Sequence, residues 1–263
     1  MNTEERNKLK DFWDCMAVNF TDFEIPTPYN NQFMKLLYIK GIFECGGKAL
    51  DIGCGAGKYT IALSKFFYWI DGIDISEEMI KHANTRKINE NIKNIGFNCM
   101  LWQDLDVERV GWLKKYNFAF AHMTPAVNDE ATIQKLRAVS KKWCAVTKSV
   151  YRRNEIAETV NDICEVASDG YGENELLSLM RVLWHDGLSP EIFYEKEVWE
   201  NQMKTDRAIE TYIKRMSVKH ELSEKNKREI SDYFNTISIG EVVREKTDTV
   251  ICTVYWNEEM EDK

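Results

Sequence analysis

Asp51-Ile52-Gly53-Cys54-Gly55-Ala56-Gly57 carries three alternate glycines between a short apolar run and a helix-like stretch. Glycine permits tight turning and lets a ligand approach the backbone closely. A GxG turn also serves many plain strand–helix junctions, so its neighbours decide its meaning. Asp51, just ahead of the glycines, suits a cationic or zwitterionic ligand better than a diphosphate. Asp74 closes the next strand-like segment, 21 residues after Gly53. A carboxylate there can accept hydrogen bonds from two ribose hydroxyls. Ser76 is the better helix cap, which leaves Asp74 for a ligand. A nicotinamide-binding turn usually reads GxGxxG, whereas Gly57 comes one residue early. S-adenosylmethionine (SAM), with a positive sulfonium and amino group, meets these conditions better than a dinucleotide.

These residues need strands and helices to hold them. Residues 4–19 and 31–43 read as helices, separated by a loop that contains Pro26 and Pro28. Strands are expected at 49–52, 68–74, 95–102, 117–122 and 143–148, with helices at 57–66, 76–89 and 129–140. The alternation indicates a mostly parallel sheet covered on both faces, an α/β fold. Further on, 154–168 and 173–186 read as helices, 192–198 as a strand and 203–236 as largely helical. The β-branched stretch 241–256 suggests a hairpin turned near Lys246–Asp248. The acidic tail after Trp256 is expected to fray.

Ala49-Leu-Asp-Ile-Gly-Cys-Gly-Ala-Gly57 resembles motif I of class I SAM-dependent methyltransferases. Gly72-Ile-Asp-Ile-Ser-Glu-Glu-Met79 resembles their following motif. The resemblance covers roughly residues 10–150. Trp13-Asp14 with Ala17 and Phe20 is similar to the N-terminal helix of small-molecule methyltransferases of the ubiquinone/menaquinone-biosynthesis type, where it forms a lid over the cofactor. The implied fold is Rossmann-like: a seven-stranded sheet with an antiparallel last strand and an N-terminal helical lid; the usually short link between its last two strands is replaced here by about fifty residues read as a helical insertion. The implied division is a single methyltransferase domain, 1–263. It has a lid at 1–43, a SAM-binding half at 44–150 and a substrate-side half at 151–263, with the insertion at about 200–240. By the same resemblance Gly53, Cys54, Gly55 and Gly57 face the methionine part of SAM, with Asp51 near its amino group. Asp74 holds the ribose, Ile75 and Met79 line the cofactor, and Gln103, Asp104 and Leu105 lie at the adenine. S-adenosylhomocysteine would be the product.

The fourth strand ends in His122-Met123-Thr124-Pro125, and ligands of open α/β sheets bind beyond the carboxyl ends of the strands. His122 is the candidate general base because an ordinary imidazole titrates near neutral pH, and it also borders the cofactor. Thr124 is a second catalytic candidate through hydrogen bonding. Trp13, Phe20, Tyr29, Met123, Trp184 and His185 are candidates to line the acceptor pocket, although aromatic residues at helical spacing also serve as core. Methylation of nucleic-acid bases often accompanies an Asn/Asp-Pro-Pro-aromatic motif at this strand end, from which Met123–Ala126 departs.

Composition narrows the remaining classes. A formal net charge of -8 over 263 residues disfavours a long nucleic-acid tract. Seven scattered cysteines without a CxxC pair suggest reduced thiols in the cytoplasm, and no His/Cys cluster predicts a metal. The longest apolar run, Phe66–Ile70, is too short to span a membrane, and no secretory leader is apparent. The expectation is a cytoplasmic enzyme with a small-molecule acceptor, as monomer or homodimer. The alternatives are an RNA or protein methyltransferase and a non-catalytic SAM-binding scaffold.

Overall fold

The structure is a computed structural model that describes residues 3–167, 172–217 and 220–259. The chain opens with α1 (Thr3–Met16), followed by a 3-10 turn to Phe20 and α2 (Gln32–Ile39). The alternating part comprises β1 (Lys48–Ile52), α3 (Lys58–Leu63), β2 (Trp69–Asp74), α4 (Glu77–Asn89), β3 (Ile95–Cys99), β4 (Tyr116–His122), α5 (Glu130–Val139) and β5 (Ser140–Arg153). It continues through α6 (Glu155–Ile163), α7 (Glu173–His185), β6 (Glu191–Lys204), α8 (Thr205–Ser217), α9 (Glu224–Ile237) and β7 (Val242–Asn257).

Seven strands form one sheet in the order β3-β2-β1-β4-β5-β7-β6. Strands β1 to β5 pair in parallel, and β7 inserts antiparallel between β5 and β6. This is the Rossmann-like arrangement expected for class I methyltransferases. Strand order reverses at β1/β4, and the glycine loop and His122 follow those two strands. That switch point is where an open α/β sheet leaves a crevice.

Alternation along β4 sorts the core. Phe118 and Phe120 face a cluster with Phe33, Leu37 and Leu63, while Ala119 and Ala121 face one with Ile133, Leu136 and Leu183. The small alanines leave room for α5 and α7. Helix α4 starts where predicted: the Ser76 hydroxyl accepts the Met79 N–H at 3.1 Å, and Glu77 and Glu78 occupy its positive end.

Two expectations change at the C-terminal edge. Strand β7 runs unbroken through Lys246–Asp248, because β6 pairs with it from Glu191↔Tyr255 to Lys204↔Val242. No hairpin forms there. The insertion between the last strands consists of α8 and α9, which pack with α6 around Val160, Tyr212, Ile230 and Phe234. Strand β5 is longer than expected, reaching Arg153 alongside β7, and so carries Arg152 past the last residue that pairs with β4. The helix expected over 154–168 ends at Ile163, five residues short, and residue 168 and the tail beyond 259 lie outside the described residues.

Candidate active site

Gly53, Gly55 and Gly57 adopt positive φ of 70°, 53° and 86°. A Cβ on Gly53 would lie 2.1 Å from Thr124 Oγ1, and one on Gly57 2.7 Å from Phe97 Cζ, so sterics as well as backbone angle demand glycine. Gly55 differs: the nearest atom to its missing Cβ is Met79 Sδ at 3.9 Å. That open space, beside a backbone only glycine takes readily, is a cradle for a ligand.

The two carboxylates flank this loop in different environments. Asp51 is buried, and its Oδ2 accepts the Thr60 hydroxyl at 2.6 Å. Burial raises its carboxyl to about 7, reinforced by nearby Asp74 and opposed by Thr60. Among the described residues it has no cationic partner, so a ligand ammonium fits its charge. Asp74 is less free than its sequence position suggested. Its Oδ2 accepts the Gly55 N–H and its Oδ1 the Ser76 N–H, each at 2.9 Å. Each oxygen retains a lone pair for a ribose hydroxyl. Burial raises the Asp74 carboxyl while these backbone donors pull it down.

Helix α1 packs over the same end of the sheet. Asp14 Oδ1 accepts the Ser76 hydroxyl at 2.5 Å and the Glu78 N–H at 3.3 Å. Ala17 is buried with Ala56 and Met79, and Trp13 packs against them. Asp104, expected at the adenine, pairs with Arg6 of α1. Beside it, Gln103 donates to the Ala126 carbonyl at 3.2 Å, and its Oε1 is buried without a partner among the described residues. Leu105 packs against the core, Cys54 is buried under the loop, and Ile75 is half-buried.

His122 is not placed as a neutral-pH base. Its ring lies 4.2 Å from Tyr59 and 4.7 Å from Phe33, centroid to centroid, and Nε2 is buried without a partner among the described residues. Burial, helped by nearby Lys58, lowers it to about 3. A neutral imidazole of such low basicity can orient a neighbour, but it takes up a proton poorly. Next to it, Met123 holds a φ of 54°, unusual for a side chain of its size.

A cavity of about 300 Å³ opens beside Met123, Thr124 and Pro125, roofed by α6 and α8. Thr124 lines it and also occupies the space a Cβ on Gly53 would need, so the glycine loop and the cavity share one side chain. Of the aromatic candidates, Tyr29 is 95% exposed and Trp184 62%. His185 is exposed beside Asp186, and none of these three lines the cavity. Trp13 and Phe20 stay together on the α1 side, with Phe20 largely exposed. The sequence reading missed Lys148, Arg152, Glu175, Arg215 and His220, which do line the cavity. A lysine within the otherwise buried run of β5 was the available signal.

Residues 44–204 match the family model described as Methyltransferase domain. Malonyl-[acyl-carrier protein] O-methyltransferase of Bacillus cereus is 35% identical over 79 residues, 29% of this chain and 26% of that protein. Ubiquinone biosynthesis O-methyltransferase of Neisseria meningitidis is 29% identical over 84 residues, 31% of this chain and 35% of that protein. The chain thus spans about a quarter to a third of these curated relatives. Magnesium protoporphyrin IX methyltransferase of Synechocystis PCC 6803, solved with bound S-adenosylhomocysteine, superposes with a TM-score of 0.55 at 11% identity. That alignment covers 95% of this chain and 99% of the solved one, and it shows a shared fold.

Proposed function

This chain belongs to the Methyltransferase domain family, and from that premise we propose that it transfers a methyl group from SAM to a small-molecule acceptor. The observation that carries this reading is Thr124, which joins the glycine loop to the cavity. The open face at Gly55, the unpaired Asp51 and the spare lone pairs of Asp74 fit a cationic, ribose-bearing ligand. Bound SAM supplies an electrophilic methyl group for in-line attack by an O, N, S or C nucleophile.

The chain's residues then position and desolvate. Asp51 faces the amino group, Asp74 orients the ribose, and Thr124 borders the meeting point of donor and acceptor. His122 contributes orientation rather than proton uptake, given its lowered basicity. In this reading residues 1–43 form the lid, 44–150 the SAM-binding half and 151–263 the acceptor side. A cavity of about 300 Å³ favours a metabolite over a macromolecule. Closeness to the ubiquinone/menaquinone-biosynthesis type has support from one partial relative.

Isothermal titration with SAM and S-adenosylhomocysteine tests the donor site. Both should bind, and Asp74→Ala should weaken each at least tenfold, since it removes hydrogen bonds to a charged acceptor. Failure of either ligand to bind, or indifference to Asp74→Ala, overturns the assignment. Labelled methyl transfer to a host extract tests the acceptor class. Label in small molecules supports the reading, and label in RNA or protein replaces it with a macromolecular one.

A further inference from the structure

The last turn of α1 is a joint between three parts of the molecule. Asp14 fastens it to the start of α4 through the Ser76 hydroxyl and the Glu78 N–H, and Ala17 is buried with Ala56 of the glycine loop and Met79. Between those two residues, Cys15 turns to the cap instead. Its carbonyl accepts a hydrogen bond from the Arg207 guanidinium of α8, and its Sγ lies 3.4 Å from the same group. The last carbonyls of a helix lack partners within it and form its negative end, where a cation is favoured. Helix α1 carries no basic residue in its own last turn. Arg207 supplies that cation from 192 residues further along the chain.

Arg207 is itself held on α8. It pairs with Glu210 at 3.0 Å, and Glu210 pairs with Lys214 at 2.9 Å. The three stand at i, i+3 and i+7, so they share one stripe of the helix. Away from that stripe, α8 buries Ala208, Tyr212 and Met216 in the cap core, and Tyr212, Arg215 and Met216 line the cavity. Arg215 lies over the Tyr212 ring at 5.9 Å. At 1.5 Å per residue it stands about 12 Å along the axis from Arg207. One helix thus carries the contact to α1 near its start and the cavity wall in its second half.

We propose that Arg207 is a positioning residue that couples the two ligand sites: donor bound at the glycine loop fixes the last turn of α1 and, through Arg207, sets α8 over the acceptor cavity. This rests on the methyl-transfer reading, with α1 as its lid, and deepens it. Bound SAM thereby prepares the acceptor wall. The coupling is reciprocal, so the factor by which SAM favours the closed position of α8 returns as SAM affinity. One charge-assisted contact from an arginine side chain 29% exposed sets that factor at about threefold.

Hydrogen exchange of the full chain, with and without saturating SAM, reads the coupling whatever the acceptor is. SAM should slow exchange in the glycine loop and α1, and about threefold in residues 205–217. Arg207→Ala should abolish the slowing in 205–217, keep it in the glycine loop, and weaken SAM about threefold in isothermal titration. Arg207→Lys, which keeps a charge and a donor, should recover part of both effects. A merely structural role would change α8 protection equally with and without SAM, and that result overturns the proposal. So does an α8 indifferent to SAM in the unmodified chain, a measurement that needs no variant to fold, or slowing in α8 that survives Arg207→Ala. Absence of SAM binding, with exchange in the glycine loop unchanged as well, overturns the methyl-transfer reading together with the coupling.

Discussion

In the proposed donor site, Asp51 is the carboxylate whose protonation would bear most directly on a ligand ammonium. Its carboxyl titrates at about 7 in the folded chain, raised by burial from an ordinary value of 3.8. A raised carboxyl makes its contribution to stability fully present below 3.8 and loses it as pH climbs through about 7. Above 7 Asp51 is a buried negative charge with no cationic partner among the described residues, which is the form a ligand ammonium prefers. SAM affinity should therefore fall as pH drops below about 7, by as much as tenfold per pH unit, and binding should release a proton there. Titrations in two buffers of different ionisation enthalpy, between pH 5.5 and 8, measure both quantities. Asp51→Asn, nearly isosteric and uncharged, should bind SAM more weakly at pH 8 and lose the slope. A wild-type affinity that stays flat across this range would show that Asp51 does not serve the amino group.

At the scale of elements, α1 is attached to the sheet through a few identifiable contacts at the ligand end. Asp14 bridges to the first turn of α4 through the Ser76 hydroxyl and the Glu78 N–H, and Lys10 pairs with it at 2.8 Å. Asp14→Ala removes all of these and leaves most of the apolar contact around Ala17 intact. The expected outcome is faster SAM release, roughly three- to tenfold, with a loss of stability of about 1 kcal/mol. Stopped-flow displacement by S-adenosylhomocysteine would read the rate, and an unchanged rate would deny α1 a role as a lid. Local chemistry explains which elements could be read in advance. Ser76 with two following glutamates marks the start of α4, and the Asp51–Gly57 turn marks a strand–helix junction, because both signals lie within a few residues. Lys246–Asp248 looked like a turn by the same local criteria, yet pairing with β6 across the whole length of β7 overrides it. Tyr29 and Trp184 were misread as pocket residues for a related reason. An aromatic residue on a helix or loop does not declare which side it faces, and both face solvent. Lys148 falls within the strand expected at 143–148, whereas Arg152 joins β5 because pairing with β7 carries that strand on to Arg153.

The molecule as a whole has one sheet, flanked by two apolar clusters, and a separate cap. The cap core of Val160, Ala208, Tyr212, Ile230 and Phe234 shares no residue with the clusters flanking the sheet. The proposed donor site belongs to the sheet and α1, whereas the cavity depends on the cap for Tyr212, Arg215 and Met216. Such a division predicts that damage to the cap will uncouple the two ligands. Phe234 is fully buried in the cap, in ring contact with Tyr212 at 5.0 Å and Tyr233 at 5.6 Å. Phe234→Ala should cost the cap about 3–5 kcal/mol, the usual range for emptying a buried phenyl site. Hydrogen exchange should then accelerate in α6, α8 and α9, while β1, β2 and β4 keep their protection. SAM affinity should remain within about twofold, because Asp51, Gly55 and Asp74 lie in the protected part. Acceptor KM should rise at least tenfold as the α8 wall loosens and Arg215 loses its fixed position. Uniform loss of protection across the sheet, or equal weakening of SAM and acceptor, would mean that cap and sheet fold as one cooperative unit. Retained protection everywhere with a raised KM would instead confine the effect of Phe234 to the packing of Tyr212 beneath Arg215.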